Sequence, residues 1–138
     1  MSKQRLIDTN LIVRHLVQDH EKNAKTGDRL FDACDRGEIA LLVLSTVLAE
    51  CVFVLESFYK HSRGDIAAAL SALISSPGVE ISALAIHLDA LERYPKTKAH
   101  FVDCILAATA AAQDIPVATF DLDFQKFSDV RVDIAPKG

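Results

Sequence analysis

The sequence predicts an α/β fold, a single domain over residues 1–138 with a mostly parallel central sheet of about five strands flanked by helices. Three observations carry this. Short β-branched or leucine-rich runs alternate with longer helical patterns. Several of those runs lack the polar alternation of a half-solvated strand, as strands covered on both faces do. Half of the 138 residues are apolar, which is enough for one ordinary core without staples.

The elements follow in chain order. Arg5 to Ile7 reads as a first strand, closed by Asp8, after which "TNLIVRHL" takes helical spacing. Asn23 to Arg36 places Ala24, Leu30, Phe31, Ala33 and Cys34 on a helix that Gly37 can cap. Ile39 to Leu44 is a second strand, and Ser45 or Thr46 can cap the helix running to about Tyr59. Asp65 opens a further helix that ends near "SSPG", where Pro77 and Gly78 turn the chain into a strand at Val79 to Ile81. Leu84 to Arg93 and Ala99 to Gln113 form two more helices separated by Pro95, and Pro116 to Phe120 and Val130 to Ile134 supply the last strands. No internal repeat, low-complexity segment or linker interrupts the series.

Composition narrows the function. The start "MSKQRLID" holds, after Met1, only the two apolar residues Leu6 and Ile7 before its first acid, which is no signal-peptide core. The longest apolar stretch, Ile39 to Ala49, falls far short of the roughly 20 residues that span a bilayer. No membrane association and a cytoplasmic location are expected. Cys34, Cys51 and Cys104 are odd in number and widely spaced in helical apolar contexts, so they read as buried thiols, neither a disulfide framework nor a zinc site. A net charge of −4 argues against a uniformly basic nucleic-acid surface, while leaving local or metal-bridged contacts open.

Four acids stand in apolar company: Asp8 after the first strand, Glu50 in "TVLAECVFVL", Asp103 in "HFVDCILAATAAA" and Asp121 after "PVATF". Each has a structural reading of its own. Asp8 could cap a helix, Asp121 could begin a turn, Glu50 could favour the start of its helix, and Asp103 could lie on a thin polar stripe with His100 and Asp114. The joint argument is different. Asp8 and Asp121 lie at carboxyl ends of strands and Glu50 near the start of a helix that follows one, the edge at which open parallel sheets bind ligands where strand order reverses. Carboxylates gathered in a crevice need compensation, and no Lys or Arg lies inside the later runs. Oxygen donors without a His or Cys requirement suit a hard ion, Mg²⁺ or Mn²⁺. Such an ion holds a phosphodiester and activates water, so phosphodiester hydrolysis is the natural chemistry. "RYPKTKAH" then offers Arg93, Lys96, Lys98 and His100 as nucleic-acid contacts, or as a merely solvated connector.

"LIDTNLIVRHL", "LAECVFVL", "HFVDCILAATA" and "VATFDLDF" resemble the four acidic motifs of the PIN domain, in order and over essentially the whole chain. Size and the forms "DTN" and "TFDLDF" are most similar to the VapC ribonuclease toxins of toxin–antitoxin pairs. The resemblance implies a parallel sheet flanked by helices, Mg²⁺- or Mn²⁺-dependent endoribonuclease activity on RNA, a homodimer, and inhibition by a VapB-like antitoxin. Apolar surface on the helices Asn23 to Arg36 and Thr46 to Tyr59 would suit that partner. Asp8, Glu50, Asp103 and Asp121 would be the catalytic, metal-binding acids, Asn10 a supporting group beside Asp8, and Thr119 a residue orienting Asp121. Asp123 would be either an outer metal ligand or the cap of the turn before Phe124.

A phosphoacceptor receiver domain is the rival of another class, but Asp8 has no acidic neighbour, Val79 to Ile81 leads to Ser82 and Ala83, and Asp121 stands where a Lys is wanted. A catalytically silent PIN-like or receiver-like regulatory module with the same acidic pocket is the alternative function. GxSxG, P-loop and HExxH patterns are lacking.

Overall fold

The computed structural model describes residues 3–134; residues 1, 2 and 135–138, at the two ends of the expected domain, lie outside the described residues. The α/β class holds: among the described residues six α-helices are interspersed with five strands, every pairing is parallel, and the strands form a three-stranded and a two-stranded sheet where a central sheet of about five was expected. The chain forms two compact units that divide between Leu84 and Ala85.

The first unit runs β1 (Gln4–Leu6), α1 (Thr9–Val17), α2 (Glu21–Asp35), β2 (Ala40–Leu42), α3 (Ser45–Ser57), α4 (Arg63–Ile74) and β3 (Val79–Glu80). Its sheet has the order β1-β2-β3, with Arg5 opposite Leu41 and Leu41 opposite Val79. Ile7, Leu41 and Val43 are buried from the sheet, and Ile12, Leu48, Leu55, Leu70 and Ile74 are buried from the helices. α1 packs on α2 and α3, and α3 on α4.

Helix ends depart slightly from the sequence expectation. α2 starts two residues early, because His20 is its N-cap and Nδ1 accepts from the Asn23 amide. It ends as expected at Gly37, whose φ of +76° lets its own N–H reach Cys34 O and the Glu38 N–H reach Ala33 O, the paired bonds of a Schellman cap. α3 begins after Leu44, which gives no side-chain cap, so Ser45 and Thr46 are helical residues. α4 begins at Arg63, since Ser62 Oγ accepts from the Asp65 amide and makes Asp65 the third helical residue.

The second unit comprises α5 (Leu84–Arg93, whose first residue closes the first unit), a 3-10 turn at Tyr94–Lys96, α6 (Phe101–Gln113), β4 (Val117–Thr119), a second 3-10 turn at Leu122–Lys126, and β5 (Val132–Ile134) paired with β4. Tyr94 and Phe101 meet edge to face at 5.8 Å, and Phe124 and Phe127 are buried beside them in the same unit's core. The Arg93 guanidinium is 14% exposed and donates to Asp89 at 3.2 Å and to both oxygens of Asp129, while lying 5.8 Å from the Phe127 ring. That arrangement ties the end of α5 to the segment after the second 3-10 turn.

Neither sheet reverses its strand order, so the reversal expected from open sheets does not locate a site within either unit. The carboxyl ends of the strands remain the guide.

Candidate active site

In the first unit, the chain leaves β1 through the buried Ile7 and reaches Asp8, which has extended backbone and caps α1. Its Oδ1 accepts from the Leu11 amide at 3.0 Å, so one oxygen serves the cap of an exposed carboxylate. Glu50 lies in the second turn of α3, the helix that follows β2, and is exposed. Burial and, to a lesser degree, the negative charges of Glu50 and Asp8 push the Cys51 thiol up to about 12. Asp8 also lines a groove of about 200 Å³ with Asn10, Leu11, Arg14, Asn23 and Thr26.

The second unit holds a cavity of about 180 Å³ lined by Asp103, Asp121 and Asp123 together with Thr97, Lys98, His100, Lys126 and Phe127. Asp103 is the third residue of α6 and half-buried. Asp121 follows β4 and caps the second 3-10 turn, its Oδ1 accepting from the Asp123 amide at 2.8 Å. The Asp121 amide in turn donates to Thr119 Oγ1 at 2.9 Å, which fixes the direction in which this acid leaves the strand. The Asp123 carboxylate pairs with Lys126 at 3.6 Å.

Among the described residues, Asp8, Glu50, Asp103 and Asp121 make no ion pair, whereas Asp19, Asp28, Glu38, Glu56 and Asp129 all do. Of the four acids only Asp103 is partly buried; Asp8, Glu50 and Asp121 are exposed. Asp8 and Asp121 follow strand ends and Glu50 lies on the outer side of α3, while Ile7, Cys51 and Cys104, next in sequence to Asp8, Glu50 and Asp103, are buried. Among the described residues, no group of three or more His, Cys, Asp or Glu side chains could by itself hold a metal ion. The donor chemistry nonetheless fits a hard cation. Mg²⁺ is typically held by one or two carboxylates, with waters and substrate phosphate oxygens completing its shell.

The basic candidates divide. Lys98 and His100 line the acidic cavity; Arg93 is committed to Asp89 and Asp129, and Lys96 pairs with Glu92 at 3.3 Å, so neither lines it. Sequence reasoning missed Lys126, although its place three residues after Asp123 was a signal for an adjacent pair. It also missed Arg14, on the helix that Asp8 caps, and Asn23 and Thr26, which the packing of α1 on α2 brings to the same groove. Cys34, Cys51 and Cys104 are buried thiols without disulfides, as expected.

Comparison with known proteins agrees with the motifs. The chain is similar to the VapC ribonuclease of Aquifex aeolicus (strain VF5), 26% identical over 123 residues that cover 88% of this chain and 90% of that protein. The resemblance to PIN-domain proteins of VapC type is thereby borne out, and the receiver reading gives way. A family model described as the PIN domain matches residues 5–130, both units included, and the chain belongs to that family.

Proposed function

We propose that this protein is an endoribonuclease that hydrolyses RNA phosphodiester bonds with Mg²⁺ or Mn²⁺ and acts as the toxin of a type II toxin–antitoxin pair. The observation that carries the reading is the cavity in which Asp103, Asp121 and Asp123 face Lys98, His100 and Lys126. Carboxylates for a hard cation and cations for a polyanion in one small space are what phosphodiester chemistry asks of a protein of net charge −4. Likeness to a VapC ribonuclease over most of both chains supports the same activity.

In this reading Asp8, Glu50, Asp103 and Asp121 are the metal-binding catalytic acids, and Asp123 assists them. A bound Mg²⁺ or Mn²⁺ supplies Lewis acidity and lowers the pKa of a coordinated water. The chain's own contribution is placement. The Leu11 amide holds Asp8, Thr119 and the Asp123 amide hold Asp121, and Asn10 stands by as a polar neighbour of Asp8. Lys98 and His100 attract the RNA backbone. The two units work as one domain, and the protein is a cytoplasmic homodimer restrained by a VapB-like antitoxin. Phe53 and Phe58, 67% and 76% exposed at α3 and its carboxyl end, give such partners apolar surface. Among the described residues no helix is long and apolar enough to cross a membrane.

The test is incubation of the purified protein and an Asp8→Asn variant with total cellular RNA in Mg²⁺, Mn²⁺ or EDTA, with new ends mapped by sequencing. Asn is as good an N-cap as Asp, so the variant keeps its fold. We expect discrete cuts that EDTA abolishes and that Asp8→Asn reduces by at least about a hundredfold, the scale of losing a preorganised electrostatic group. A folded wild-type protein that cuts nothing would turn the reading towards a silent PIN module.

A further inference from the structure

The groove beside Asp8 holds a guanidinium that its neighbours use by one end only. Arg14 donates through Nη1 to Asp19 Oδ1 at 2.9 Å, Asp19 Oδ2 at 2.8 Å and Tyr59 Oη at 3.1 Å, and the Tyr59 hydroxyl donates to Asp19 Oδ2 at 2.8 Å. A guanidinium carries five N–H donors, so Nε and Nη2 keep three of them unengaged among the described residues. These contacts join α1 to the chain at the end of α3 and spare Arg14 the rotamer entropy of ordering on a ligand.

Two side-chain amides line the same groove, those of Asn10 and Asn23, and neither makes a side-chain hydrogen bond among the described residues. Thr26, the remaining polar member, donates its hydroxyl to Lys22 O at 3.2 Å and presents no spare donor. The groove of about 200 Å³ is therefore lined, beside Asp8, by an arginine with three unengaged N–H donors and by two unspent amides. Arginine forks of this kind match the paired oxygens of a phosphodiester.

Resting on the ribonuclease reading, we propose that this groove is a backbone subsite for single-stranded RNA: the open side of Arg14 takes a phosphate near the one cleaved, and the Asn10 and Asn23 amides hydrogen-bond the sugar or base edge of that nucleotide. Tyr59 and Asp19 are positioning residues that hold Arg14 in place. The subsite lies wholly within the first unit.

Binding separates this subsite from cleavage. A fluorescein-labelled single-stranded oligoribonucleotide is titrated by anisotropy in EDTA against wild type, Arg14→Gln, Tyr59→Phe and Asn23→Ala across a range of salt, with folding checked by circular dichroism. Arg14→Gln should bind about tenfold more weakly, the loss of a charged hydrogen-bonding partner. Its log–log salt slope should be shallower by about 0.7, the change for one lost phosphate contact on a single strand. Asn23→Ala should weaken binding with the slope unchanged. Tyr59→Phe, which removes a restraint but no open donor, should keep the wild-type slope.

An Arg14→Gln slope equal to wild type, an equal drop in Tyr59→Phe, or a wild type that binds no oligoribonucleotide overturns the subsite. Displacement of the probe by inorganic phosphate from wild type but not from Arg14→Gln supports the phosphate contact at Arg14, whereas phosphate that binds wild type through Arg14 without displacing the probe makes it a free-anion site and overturns it as an RNA subsite. Wild type that cuts RNA while Arg14→Gln keeps the full slope overturns the subsite alone. Arg14-dependent binding without any cleavage in Mg²⁺ or Mn²⁺ supports the subsite and overturns the nuclease reading.

Discussion

Gly78 enters β3 with φ +80°, and a Cβ built on it would lie 2.7 Å from Cys34 Sγ and 2.8 Å from Cys34 O. Both the backbone region and the space demand glycine there. Gly78→Ala should cost about 2 kcal/mol, the range for a non-glycine residue held in a disfavoured conformation, and urea denaturation measures it. Single residues also carry the clearest electrostatic facts. Cys51 is kept a neutral thiol by burial and by the carboxylates of Glu50 and Asp8, so it is a packing residue and no nucleophile. Arg93 shows how residue type alone misleads. In sequence it stands beside Lys96, Lys98 and His100, yet its contacts with Asp89, Asp129 and Phe127 make it a strut of the second unit.

At the scale of elements, caps decide where the functional groups fall. Asp8 is both the N-cap of α1 and a candidate ligand, because a capping carboxylate spends one oxygen and keeps the other. Asp121 repeats the device at the second 3-10 turn. Away from the site, Ser62 caps α4 with no other duty visible in its contacts. Ser62→Ala should therefore destabilise by about 1 kcal/mol and leave RNA cleavage unchanged, read by thermal melting and the cleavage assay on one preparation. Equal losses in both readouts would tie α4 to the site.

Across the whole molecule, acid should weaken the fold in a defined direction. Arg93 holds the Asp129 carboxyl below its usual range, and Tyr59 and then Arg14 do the same for Asp19. In acid the unfolded chain binds more protons than the folded one at such groups, so their stabilisation is present above the unfolded pKa and is lost as pH falls through the folded values. Urea midpoints should fall from pH 5 towards pH 2, across the ordinary carboxylate pKa of about 4, and fall less steeply for Asp129→Asn. A variant as acid-sensitive as wild type would remove Asp129 from the account.

The α/β class, the five strand runs, the Schellman glycine at Gly37 and the strand-end places of Asp8 and Asp121 were legible in the sequence, because hydrophobic periodicity, strand-end position and turn chemistry are local properties. Helix starts at His20 and Ser62 were less so, since any of several polar residues could have capped and neighbouring packing chose between them. Which cations stand by the acids was legible only in part: Lys98 and His100 were, the others were not. Lys126 meets Asp123, Arg14 is pinned by Asp19 and Tyr59, and Arg93 is taken up by Asp129, 36 residues away. A long cationic side chain has many partners within reach in an unfolded chain, and only the tertiary structure, by burying its stem against a particular neighbour, decides which one it keeps.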